Sequence, residues 1–286
     1  MATIKRFPFL IILFVFGYSL GALGAYLQKP YVYTSSPVLS SSVSQNHVAS
    51  YKPSIKKEAK GLDLESLEQN LKKLTDKNKG LWGIVFKDLN SNKQILLNEH
   101  KLIYGASLTK VITAVSVLDK IEKNKIKFTP NIEKLITAMI NRSDNDSWET
   151  LNYLVGFNFM QALGKELGMA NLNVYGNELT PEDMTNLLDK LYRGDILSET
   201  NREFLFALMQ DTETEDRIPA GVPENIQVIH KTGTLDDNIH DAGIILTERP
   251  YILVVMSKNT NRKEGTKIIQ EVSKTIFDHF TRVETL

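Results

Sequence analysis

Ser107 and Lys110 stand three positions apart in the stretch Gly105-Ala106-Ser107-Leu108-Thr109-Lys110, which opens an apolar helical pattern through Val111, Ile112, Val115, Leu118 and Ile121. Positions i and i+3 share a helix face, so the Lys110 amine is placed to reach the Ser107 hydroxyl. A serine hydroxyl becomes a nucleophile when a base takes its proton, and a lysine amine serves as that base when burial and neighbouring cations lower its pKa. The unpaired N–H groups and the positive dipole end of a helix start favour negative charge at the same place. Alone, the pair is weak evidence, because serine is an ordinary N-cap residue.

Two further clusters have types and spacing that suit the same chemistry. Ser143-Asp144-Asn145 falls in a turn between two helical patterns. If that turn is extended, Ser143 and Asn145 point one way into a cleft and Asp144 points back to brace the loop; a plain capping turn has the same composition. His230-Lys231-Thr232-Gly233-Thr234 ends a strand pattern. Lys231 would place a fixed cation beside the cleft, and Thr232 and Thr234 add hydroxyls able to bind a carboxylate. Gly233 would let a substrate backbone approach the strand edge.

The elements that must position these groups follow from periodicity. Leu64, Leu67, Leu71 and Leu74 predict a helix within 62–80. Residues 82–89 and 94–98 predict two strands joined by the turn Asn90-Ser91-Asn92-Lys93. Helices are expected over 132–140, 148–155, 159–167, 181–192 and 200–209, with Thr180 capping the fourth and Gly194 stopping it. Strands are expected over 226–234, 242–247 and 251–257, the last two joined by Glu248-Arg249-Pro250, and an amphipathic helix over 263–280 closes the chain. Two early strands and three late ones imply an α+β fold. Its five-stranded antiparallel sheet is assembled from both ends of the chain, flanked by terminal helices, with a helical lobe between.

The 286 residues carry 34 Lys plus Arg and 34 Asp plus Glu, so no net field draws the chain to nucleic acid. Cysteine is absent, which excludes disulfides, thiolate metal sites and cysteine nucleophiles together. Residues 7–26 are uncharged and follow Lys5 and Arg6, about the length that crosses a bilayer. We read 1–28 as a membrane anchor that leaves the remainder outside the cytoplasm, with a cleaved signal peptide, through Ala22, Gly24 and Ala25, as the alternative. Residues 29–61, rich in serine, read as a flexible tether. Residues 62–286 are the folded domain.

SxxK, SDN and KTG thus occur in order, at a helix start, an interhelical turn and an edge strand. This resembles the penicillin-recognising active-site serine enzymes, most closely the class A β-lactamases. The resemblance runs from about Leu62 to the C-terminus and includes Thr180-Pro181-Glu182-Asp183-Met184 and Arg217-Ile218-Pro219-Ala220-Gly221. It implies the β-lactamase/transpeptidase-like fold and acyl transfer through a Ser107 ester. Lys110 would be the base or proton relay, Ser143 the proton shuttle to the leaving nitrogen, and Asn145 a ligand of the substrate amide. Lys231 would hold the substrate carboxylate and help keep Lys110 deprotonated; Thr232 and Thr234 would bind that carboxylate. The oxyanion hole would be the backbone N–H groups of Ser107 and Thr234. No metal or cofactor is implied, and a monomer is expected. The substrate would be a small β-lactam or, for a D,D-peptidase, a peptidoglycan stem peptide; a catalytically silent wall-binding domain is the third reading.

Departures from that family are equally specific. Class A enzymes carry a loop whose glutamate activates the deacylating water, whereas residues 168–180 here are short and hold one internal carboxylate, Glu178, placed like a helix-start residue; Glu166 lies upstream on a helix pattern. Only 36 positions separate Ser107 from Ser143, fewer than is usual in the family. Ala242 occupies the strand position where many class A enzymes place a carboxylate-binding arginine. The expectation is ready acylation and slow deacylation. A Ser-His-Asp triad drawn with His230 or His240 and Asp241 lacks a GxSxG elbow around Ser107. Both histidines read as packing residues of strands and 211–216 as a solvated acidic loop.

Overall fold

The four-residue spacing of Leu67 and Leu71 puts both on one stripe of α1 (Leu64–Asp76), where they are fully buried, and Asp63 caps the helix by accepting from the Ser66 N–H at 2.9 Å. The structure, a computed structural model, describes residues 63–281. The anchor and tether readings of 1–28 and 29–61 lie outside the described residues. No helix among the described residues is long and apolar enough to cross a membrane.

β1 (Leu81–Asp88), β2 (Gln94–Leu97), β5 (Gln227–Leu235), β6 (Asn238–Leu246) and β7 (Tyr251–Lys258) form one antiparallel sheet in the order β2-β1-β7-β6-β5. The expected five strands are present, and the sheet is built from both chain ends. Alternation along the central strands divides the core in two. Ile84, Phe86, Leu253 and Val255 face α1 and the closing helix α8 (Arg262–Thr281), while Val85, Ile252, Val254 and Met256 face the other helices. Both faces are covered, which is why these strands are almost continuously apolar.

β6 begins four residues before the expected start. Leu235 pairs with Asn238 across a tight Asp236-Asp237 turn, and His240 and Asp241, which interrupt the apolar run, are wholly buried within the strand.

α6 (Pro181–Arg193) packs on the sheet beneath this second core, its start fixed by a reciprocal capping box between Thr180 and Asp183 and its end by left-handed Gly194. The helical lobe comprises α2 (Lys110–Glu122), α3 (Pro130–Asn141), α4 (Asn145–Val155), α5 (Phe157–Glu166) and α7 (Glu199–Leu208). A second sheet was not anticipated: β3 (Ile103–Tyr104) pairs with β4 (Glu178–Leu179), two residues each, too short to show alternation. It ties the approach to Ser107 to the end of the 168–180 loop.

Candidate active site

Ser107 does not lie in the first turn of α2. It is the second residue of a 3₁₀ turn, Ala106–Thr109, and α2 starts at Lys110. Ala106 has φ of 48°, a left-handed conformation held because the Gly105 N–H donates to the Asn177 carbonyl at 2.7 Å and Asn177 Nδ2 donates to the Ala106 carbonyl at 3.1 Å. Leu108, Val111 and Ile112 are buried on the core side, leaving Ser107 half-buried and lining the cleft.

Lys110 is fully buried, and its amine donates to the Ser143 carbonyl at 2.5 Å, to Asn145 Oδ1 at 2.7 Å and to Ser143 Oγ at 3.3 Å. The expected direct link from Lys110 to Ser107 Oγ is not formed, because the three ammonium donors are taken by these oxygens. Burial lowers the Lys110 pKa to about 8, the nearby Asp144 carboxylate opposing it.

The SDN turn is tighter than the extended form expected. Ser143 is left-handed, φ 58°, and α4 begins at Asn145 with Asp144 as its cap, Oδ1 accepting from the Ser147 N–H at 2.7 Å. Ser143 and Asn145 still converge on one point, Lys110 Nζ, and Asp144 does brace the loop.

Lys231 is 3% exposed on β5, and its amine donates to Ser143 Oγ at 3.0 Å and to the Thr232 carbonyl at 3.1 Å. Burial, reinforced by the Lys110 charge, lowers its pKa to about 7. The Ser143 hydroxyl therefore bridges two buried amines, each of which is a weak acid near neutral pH.

Thr232 and Thr234 line the cleft as expected. Gly233 serves the protein's own packing: a Cβ there would meet the Gly105 carbonyl oxygen and the His240 ring at 3.1 Å. β5 thereby abuts the turn that carries Ser107.

Ala242 is buried opposite Lys231 and presents nothing to the cleft. A guanidinium reaches the place from elsewhere. Arg217, 1% exposed, donates to the Gly233 carbonyl at 2.8 Å and also to the His240 carbonyl and Thr234 Oγ1. Burial lowers its pKa, opposed by Asp241 and Asp216. Sequence reasoning gave Arg217 no role; the available signal was an arginine just ahead of the apolar Ile218-Pro219 step.

The histidines have different structural roles. His240 Nε2–H donates to the Tyr104 carbonyl at 2.8 Å while Nδ1 accepts from the Ser257 N–H at 3.1 Å, and burial lowers its pKa to about 4. His230, wholly buried, puts Nδ1 2.9 Å from Asp241 and Nε2 3.1 Å from Glu215. The 211–216 segment is therefore not simply solvated: Glu215 closes over the back of the KTG strand.

Neither loop-side carboxylate reaches Ser107. Glu178 Oε2 accepts from Asn173 Nδ2 at 3.0 Å and lies off the cleft, and Glu166 lines a separate hollow with Asp119, Lys123 and Asp195. The cleft, of about 750 Å³, is lined by Ser107 on its 3₁₀ turn, by Ser143 and Asn145 at the start of α4, and by Thr232 and Thr234 of β5 with Arg217 packed against them.

A family model described as the Beta-lactamase enzyme family matches residues 66–133 and 127–280. β-Lactamase OXY-2 of Klebsiella oxytoca is 27% identical over 249 residues, 73% of this chain and 86% of that protein. β-Lactamase VEB-1 of Pseudomonas aeruginosa is 22% identical over 253 residues, 69% and 85% respectively. Among solved structures, PBP-A superposes with a TM-score of 0.71 at 22% identity, covering 77% of this chain and 97% of that one. The TLA-1 extended-spectrum β-lactamase superposes at 0.69 and 24%, covering 76% and 98%.

Proposed function

Since the chain belongs to the β-lactamase enzyme family and is a serine β-lactamase-like hydrolase, we propose that Ser107 is its nucleophile and that it forms acyl-enzymes with β-lactams quickly and releases them slowly. The observation that carries the reading is the Ser143 hydroxyl held between two buried lysine amines, 3.3 Å from Lys110 and 3.0 Å from Lys231, in the cleft that Ser107, the one serine of the 3₁₀ turn, also lines.

Ser107 Oγ attacks the lactam carbonyl carbon as its proton passes to a neutral Lys110 amine. The carbonyl oxygen gains the negative charge, which the N–H groups of Ser107 and Thr234 receive. The C–N bond then breaks, and the ring nitrogen takes a proton from Ser143 Oγ, replaced from Lys110 or Lys231. Lys231, Thr232, Thr234 and the Arg217 guanidinium hold the substrate carboxylate, and Asn145 holds the acyl-side amide. Hydrolysis of the ester needs a base for water. Glu178, engaged with Asn173, is not in position to be that base.

Intact-protein mass spectrometry after exposure to benzylpenicillin tests this. A persistent adduct in the wild type and none in Ser107→Ala is expected; no adduct together with no hydrolysis would overturn the claim. A second reading, a D,D-peptidase on peptidoglycan stem peptides, is favoured by the same Glu178 geometry, because a transferase or carboxypeptidase has less need of a dedicated β-lactam-deacylating base. Turnover of a D-Ala-D-Ala peptide against nitrocefin separates the two. We further propose that residues 1–28 anchor a monomer outside the cytoplasm, supported by the uncharged run 7–26 behind Lys5 and Arg6; membrane fractionation and sizing of the detergent-extracted chain test this.

A further inference from the structure

The cleft continues past the acylation machinery along α4. Asn145, Glu149 and Tyr153 recur four apart, so one stripe of this helix faces the cavity. Next to it, the rings of Phe157 and Tyr175 pack with centroids 5.6 Å apart and planes tilted by 32°, and the Tyr175 hydroxyl donates to Asn158 Oδ1. Tyr153 is 74% exposed and Tyr175 65%, yet both line the same cavity. Two large exposed aromatics gathered on a cleft wall, one of them held by its hydroxyl, mark a contact surface for a ligand.

Charge is divided across the cavity. Glu149 is exposed, forms no ion pair among the described residues, and is the one carboxylate among the described residues that line the cleft. Arg217, whose guanidinium reaches β5 from the segment before it, and Arg262, the first residue of α8, line the cavity as its cations. A substrate carboxylate drawn to these cations leaves the acyl end of the molecule pointing past Asn145 toward Glu149 and the aromatic rings.

We propose that Glu149, Tyr153, Phe157 and Tyr175 form an acyl-side subsite for a protonated amine carried on an apolar or aromatic body. The carboxylate pairs the amine and the rings take the body, with the ring faces adding cation–π attraction. This rests on the acyl-enzyme reading above. An aminobenzyl side chain on a β-lactam and an amine-bearing residue of a stem peptide share this chemistry.

The test measures second-order acylation rates of the full chain at pH about 6.5, below the ordinary α-amino range, with ampicillin and benzylpenicillin, which differ by one amine. A peptide pair ending in D-Ala-D-Ala, with a preceding lysine free or acetylated at its ε-amine, is run in parallel for turnover. The amine-bearing member of a pair should react about threefold faster, the size of a solvent-exposed charge pair, and Glu149→Gln should bring that ratio to about one. Whichever pair shows the ratio identifies the source of the ligand. Ratios of one in both pairs, or a ratio unchanged by Glu149→Gln, would overturn the subsite. A Ser107 that no β-lactam acylates would fell the reading beneath it, a result distinct from acylation without amine preference.

Discussion

Lys231 Nζ donates to Ser143 Oγ at 3.0 Å although 88 positions separate the two residues in the chain. The same hydroxyl is 3.3 Å from Lys110 Nζ, so a proton leaving either amine for the leaving nitrogen passes through Ser143. Ser143→Ala and Ser143→Gly should each slow acylation by benzylpenicillin about a hundredfold or more, the range of a lost general acid–base group. The glycine variant removes the hydroxyl while relieving the left-handed backbone, φ 58°. Near-wild-type adduct formation in both variants would show that the hydroxyl relays no proton.

The acylation rate should rise with pH. Burial brings Lys110 to about 8 and, with the Lys110 charge, Lys231 to about 7. A base acts in its neutral form, and the neutral fraction of Lys110 grows as pH climbs through about 8, whereas Lys231 loses through about 7 the charge that holds the substrate carboxylate, so the step is read at saturating β-lactam. Rate constants for adduct formation at saturation should therefore increase between about pH 7 and pH 9 and level off above. A flat profile, or one that falls over that interval, would mean that Lys110 is not the base.

The residues that perform acylation were legible because each motif is short and sits where local periodicity changes. Ser107 precedes an apolar helix, Ser143 and Asn145 fall where one helix gives way to the next, and Lys231 stands on edge strand β5 with the rest of its motif toward the strand's end. Arg217 was not legible: a guanidinium in a connecting segment acquires a role only when tertiary packing buries it against Gly233 and His240. The left-handed backbone at Ala106 and Ser143 was equally hidden, since both are imposed by distant partners rather than by residue type. β6 was read too short because His240 and Asp241 look like a strand end, whereas each is buried with polar partners inside the sheet.

Asn177 should matter to both stability and rate. Its Oδ1 accepts from Thr109 Oγ1 at 2.8 Å, its Nδ2 donates to the Ala106 carbonyl at 3.1 Å, and its own carbonyl accepts from Gly105. One side chain thus clamps both ends of the turn that carries Ser107. Asn177→Ala removes two buried hydrogen bonds and leaves Thr109 Oγ1 and the Ala106 carbonyl only each other, at 3.2 Å, at a cost of about 2 kcal/mol, with a left-handed residue, φ 50°, adding to it. Denaturant unfolding should show that loss. The acylation rate measured on the folded fraction should also fall, because the Ser107 geometry depends on the clamp; a normal rate there would confine Asn177 to stability.

Stability should fall at high pH through His230. Both ring nitrogens face carboxylates, Nδ1 to Asp241 at 2.9 Å and Nε2 to Glu215 at 3.1 Å, and a neutral imidazole has one N–H to donate, so this geometry calls for the doubly protonated ring. Burial alone would lower its pKa, but the two carboxylates outweigh that and raise it to about 9. The folded state then holds a proton that the unfolded chain, with an ordinary value near 6.5, gives up. Its contribution is fully present below about pH 6.5 and is lost as pH rises through about 9, on the order of 3 kcal/mol. Unfolding free energies of wild type and His230→Gln, compared from pH 6 to 9.5, should converge by that amount, since the lysine contributions are common to both. Parallel curves would mean that His230 is neutral in the folded protein.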